Sequence, residues 1–164
     1  MSMLQSPRQC ATALIGLFQE QCTCATALRD LLALERTALG NGDTAKLDTT
    51  AEGKNQLMSQ LEELRSRQAQ LLATLPFGTA ETALEQALDW CDNTGHVRSA
   101  QQQARLVLTE CDRDNRRNGL LVQQRLNYVR RALDVLHSAH ADSMIYGADG
   151  NRDFGNSSRL LAEG

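Results

Sequence analysis

The sequence predicts an all-α protein: an elongated antiparallel helical bundle or coiled coil with three long helices, one short helix and a flexible C-terminal tail. Three observations predict it. Apolar residues recur every three or four positions along most of the chain, which lines one face of a helix and not one face of a strand. Aromatic residues make up only 4% of the 164 positions and proline only 2 of them, so helix formers outweigh strand formers. The periodic runs are separated by short breaks at Gly40-Asn41-Gly42, Pro76-Phe77-Gly78 and Asn93-Thr94-Gly95, and short breaks between helices make antiparallel neighbours.

The first helix has a readable start, with Ser6 as cap and Pro7 at the first helical position, where a missing N–H costs nothing. Its stripe runs Cys10, Leu14, Leu17, Gln21, Cys24, Leu28, Leu31, Glu35 and Ala38. Gln21 and Glu35 interrupt it, and polar seam residues of this kind trade stability for a defined register. Asp43 caps the second helix, whose stripe reads Leu47, Ala51, Lys54, Leu57, Leu61, Leu64, Gln68, Leu71 and Leu75. The two form an αα-hairpin. Gly53 costs its helix about 1 kcal/mol, which packing of the flanking leucines offsets.

Thr79 is expected to cap a shorter third helix with Ala83, Leu84, Ala87, Leu88 and Cys91 on one side. Its acids Glu81, Glu85, Asp89 and Asp92 read as a solvated face, and Trp90, off the stripe, as a packing residue at the rim.

The last helix spans Val97 to His140, which is about 65 Å at 1.5 Å per residue. Its seam is Val97, Ala100, Ala104, Val107 and Cys111, then Val122, Leu126, Val129, Leu133 and Leu136. Between these lies a polar knot, Arg113 to Gly119, read as an interruption. Asn115, Asn118 and Gly119 support two readings: amides bonding across the bundle beside a glycine that permits a bend or a close approach, or part of a binding site. After His140 the chain places Ile145 and Tyr146 next to Gly147 and Gly150, a segment unable to build its own core. Such a tail is either a docking peptide that orders on its partner or a terminus without a role.

Several function classes are disfavoured. Net charge is -3, so the whole chain has no electrostatic pull towards nucleic acid or an anionic membrane. The last helix has eight arginines, but acids are interleaved and Tyr128 is its one stacking aromatic. Five cysteines without a C-x-x-C pair suggest reduced thiols, with Cys10, Cys24, Cys91 and Cys111 acting as small hydrophobes. Asp134-x-x-His137 is a single acid-histidine pair, where a di-metal bundle needs two and further carboxylates. No nucleophile-base arrangement or phosphate-binding loop is present. A non-enzymatic chain without metal or cofactor is expected, and the lack of a signal region or long apolar run suggests a cytoplasmic, soluble one.

The run Asn115-Arg116-Arg117-Asn118-Gly119-Leu120-Leu121, the stretch Ala132-Leu133-Asp134-Val135-Leu136 and the motif Tyr146-Gly147-Ala148-Asp149-Gly150 together resemble the FlgN-type flagellar export chaperones. The resemblance implies a cytoplasmic protein that binds hook-filament junction (hook-associated) proteins, prevents their premature assembly and delivers them to the type III export apparatus. It implies that cargo contacts lie in the helix after Gly119 and the tail, and that Tyr146 docks on the cytosolic domain of the export gate. The expected partner-binding residues are Asn115, Asn118, Gly119, Leu121, Val122, Leu126, Val129, Leu133, Leu136, Ile145, Tyr146, Gly147 and Gly150. The expected organisation is a helical bundle over 1–140 and a docking tail over 141–164. The alternative is a self-associating coiled-coil adaptor or scaffold without export cargo.

Overall fold

A computed structural model describes residues 6–78 and 82–145, with side chains as far as Ala139. Four helices account for it, α1 (Pro7–Asn41), α2 (Thr44–Ala73), α3 (Ala83–Cys91) and α4 (His96–Ile145), and no strand occurs among the described residues. Packing divides the chain into two units, Met1–Leu121 and Val122–Gly164.

The caps explain where the helices of the first unit begin and end. Ser6 accepts from the Gln9 backbone N–H while the Gln9 side chain accepts from the Ser6 N–H, a reciprocal box that satisfies two otherwise orphaned donors. Gly42, at φ 71°, turns the chain left-handed after α1, a conformation that a Cβ would strain. Asp43 then accepts from the Lys46 N–H, and this bond holds its carboxyl below the usual carboxylate range.

Two expectations need correction. The third helix starts at Ala83 with Thr82 in the cap position, its side chain making no capping bond, while Thr79 and Glu81 lie outside the described residues. The last helix is not interrupted by the polar knot: α4 runs unbroken through Arg113–Gly119. Helix propensity explains this, since arginine is a good helix former and Asn, Asp and Gly together cost only a few kcal/mol. The Asp112–Arg116 pair at 2.9 Å adds support one turn apart, and Cys111 and Asn118 are anchored on α1. α4 ends at Ile145. At its other end, Asp92 accepts from the Val97 and Arg98 N–H groups at 3.1 and 3.0 Å, so the cap comes from before the Gly95 turn.

Within Met1–Leu121, α1 lies between two partners. Glu20 meets Arg67 and Glu35 meets Lys54, so α2 runs antiparallel to α1. Ala25 meets Cys111 and Leu32 meets Asn118 at one constant offset, so α4 runs parallel to α1. A helix with two partners must bury a wider face than one stripe. Accordingly, Phe18, Ala25, Leu32 and Leu39 form a second buried line beside Leu14, Leu17, Cys24 and Leu28. Leu31, expected in the seam, is half-buried and rests against Gly53, where an added Cβ would sit 3.1 Å from its Cδ2. The glycine therefore brings α1 and α2 together at that level.

At the far end, Cys10, Leu14, Phe18, Leu75, Ala87, Leu88, Cys91, Val97 and Ala104 form one cluster, against which Leu71 and Leu72 of α2 also pack. Trp90 packs edge-on against Phe77 at its margin, ring centroids 5.8 Å apart. Cys10, Cys24, Cys91 and Cys111 are buried, and Cys22 is half-buried. Burial, followed by the neighbouring Cys91, pushes the Cys10 thiol up to about 12, so this sulfur is packing material and not a nucleophile.

Candidate partner-binding face

The seam residues of α1 that looked out of place are the start of the site region. Gln21 donates to the Gln68 side chain at 3.0 Å across the α1–α2 seam, a part-buried amide pair that pins their register. Two turns before the end of α1, Glu35 accepts from Lys54 of α2 at 2.8 Å and from the Asn118 amide of α4 at 2.7 Å. Asn118 also donates to the Leu32 carbonyl at 2.9 Å and accepts from Arg36 Nε at 3.2 Å. Arg36 pairs with Asp114 at 3.0 Å, and Lys54 donates to the Asn115 side-chain oxygen at 3.4 Å. One polar cluster thus ties α1, α2 and α4 together.

This geometry distributes the expected partner-binding residues. Asn118 is 2% exposed and spends both amide hydrogens and its oxygen inside the bundle. Asn115 is exposed and touches Lys54, and Leu121 is half-buried. Gly119 is exposed, and a Cβ built on it meets nothing within 4 Å, so no close helix approach requires the glycine. Gly119→Ala is accordingly expected to stabilise the protein by about 0.5–1 kcal/mol, read as a higher urea midpoint with an unchanged slope.

The second unit shows a different pattern. Val122, Leu126, Val129, Leu133 and Leu136 repeat the spacing that is buried at Val97, Ala104 and Cys111, yet they are 40% to 64% exposed. They fall on one side of the helix, four and three residues apart, as in a coiled-coil seam. Tyr128 and Val135 are also exposed but lie away from this side of the helix. The helix extends to Ile145, while Tyr146, Gly147 and Gly150 lie outside the described residues.

One feature of the first unit had no signal in the sequence. A groove of about 560 Å³ runs between α2 and α4, floored by Leu28 and Leu32 of α1 and edged by Met58, Leu61 and Leu108. Periodicity does not reveal it, because these leucines read as ordinary seam positions.

Among the described residues no group of three His, Cys, Asp or Glu side chains is placed to hold a metal ion, and no helix is long and apolar enough to cross a membrane. The chain matches the family described as FlgN protein over residues 3–153. It belongs to the FlgN family. The matched span includes both the exposed α4 stripe and the Tyr146–Gly150 motif. No curated protein and no solved structure matches this FlgN protein. FlgN proteins are flagellar export chaperones, and the family in general binds flagellar hook-associated proteins. It is a chaperone family and not known for enzymatic activity.

Proposed function

We propose that this chain works in the cytoplasm by covering terminal helical segments of hook-filament junction proteins with its Val122–Leu136 face, keeping them unassembled until export. The observation that supports this reading is the exposure of five heptad-spaced aliphatic side chains on a formed helix. Contiguous apolar surface of this kind marks a partner site, and a helix offering it is met by another amphipathic helix. Segments that become ordered only in an assembled filament would otherwise expose a similar stripe and self-associate.

A single-stripe interface also allows release. Association loses translational freedom and side-chain entropy, so a narrow contact holds cargo without trapping it. In the same reading, Ile145 and the Tyr146-Gly147-Ala148-Asp149-Gly150 motif dock on the cytosolic domain of the export gate and bring the loaded chaperone to it. In this reading Asn118 serves the bundle and not the cargo surface, which its hydrogen bonds to α1 support.

The test is co-purification of the whole chain, and of a chain ending at residue 140, with the hook-filament junction proteins, followed by light scattering. Both should form a complex of defined stoichiometry, and only the whole chain should bind the gate domain. Failure of both to hold cargo, together with a raised mass for the chain alone, would favour the self-associating adaptor.

A further inference from the structure

Resting on the reading of Val122–Leu136 as the cargo face, we propose that the occupant is an amphipathic helix with acidic residues on both margins of its apolar stripe, selected by Arg125 and Arg130. In a seam spaced four and three, the marginal positions are Arg125, Ala132 and Ala139 on one side and Gln123, Arg130 and His137 on the other. None is acidic. Between Val122 and Ala139 the sequence has three arginines, and Asp134, the one acid, falls outside both margins. This local excess of positive charge sits in a chain whose net charge is -3.

In the first unit most cations are paired, with Arg8, Arg105 and Arg117 the exceptions among the described residues. There Arg29 pairs with Glu110, Arg36 with Asp114, Lys54 with Glu35, Arg67 with Glu20, and Arg98 with Glu85 and Asp89. Arg130 and Arg131 likewise form no ion pair among the described residues, and Arg130 lies beside an apolar stripe. Charges lining an apolar stripe steer and select its partner more than they tighten the complex.

The same margins discriminate among occupants. A second copy laid parallel and in register would place Arg125 of one chain beside Arg130 of the other, a like-charge contact that opposes self-pairing. An anionic lipid surface would also attract arginines. However, the aliphatic stripe is narrow and its spacing is that of a helix seam, whereas interfacial helices present a broad face with Trp or Phe.

The experiment measures binding kinetics of the full chain with purified hook-filament junction proteins at low and high salt, for wild type, Arg125→Glu/Arg130→Glu and Leu126→Asp/Leu133→Asp, with circular dichroism to confirm retained helix. The arginine variant should associate about tenfold more slowly at low salt, lose most of the wild-type salt dependence and dissociate at nearly the wild-type rate. The leucine variant should not form the complex. Loss in the leucine variant, with the wild-type association rate and the wild-type salt dependence retained in the arginine variant, overturns the charge selection and leaves the cargo face standing. Full binding by the leucine variant overturns both. Wild-type chain that floats with anionic vesicles and ignores the junction proteins would assign the arginines to lipid and overturn the proposal.

Discussion

Leu126→Asp combined with Leu133→Asp should lower cargo affinity by about 100-fold or more while leaving the unfolding of the helical bundle unchanged. The two halves of this expectation have one cause. Both leucines are about half exposed, so neither aspartate is forced into a core, and stability has little to lose. In a complex, each aspartate would be desolvated against apolar partner surface without a paired cation, which is among the most damaging changes an interface can receive. Isothermal titration and a urea melt on the same preparations check it. A melt that shifts strongly would mean that these leucines serve the chain's own packing. Unchanged affinity would remove the α4 stripe from the binding reaction.

Asn118→Ala should do the reverse, lowering stability by about 2–4 kcal/mol and leaving the cargo affinity of the folded chain unchanged. The substitution deletes an amide whose nitrogen serves the Leu32 carbonyl and the Glu35 carboxylate and whose oxygen serves Arg36. Glu35 keeps Lys54 and Arg36 keeps Asp114, so the ion pairs survive, but the Leu32 carbonyl and one Glu35 oxygen lose a buried partner. Because the cluster joins α1, α2 and α4, the loss should appear as a drop in the whole cooperative transition and not as fraying of one helix. Chemical denaturation followed at 222 nm reads it. A variant as stable as wild type that fails to bind cargo would move Asn118 from the bundle to the partner site.

The pair of predictions separates two residues that the sequence placed in one group. Asn118 and Leu133 both stood among the expected partner contacts, on the strength of a motif resemblance and a shared stripe. A motif marks positions that matter without saying for what. An asparagine in a polar knot reads equally well as a cross-bundle amide or as a recognition group, and only its surroundings distinguish them. Here the surroundings are Leu32, Glu35 and Arg36, more than 80 residues away in the chain. Gly119 is the opposite case. A glycine in a helical run invites a bend or a close contact, yet the helix passes through it with open space beside it.

Much else was legible because it is local. The Ser6 box, Pro7, the Gly42 turn and the Asp43 cap each involve groups within a few residues of one another, so sequence alone determines where α1 ends and α2 begins. The period of the apolar residues likewise determines that the chain is helical. What it does not determine is which apolar positions face protein. Leu28 is 7% exposed and Leu133 is 47% exposed, although each sits in the same kind of spacing on a long helix. The burial of Phe18, Ala25, Leu32 and Leu39 as a second line arises because α1 is flanked on two sides, a fact no window of its own sequence contains. Periodicity creates an apolar stripe, and tertiary structure decides whether that stripe becomes core or remains a surface for another molecule, because burial depends on what stands opposite.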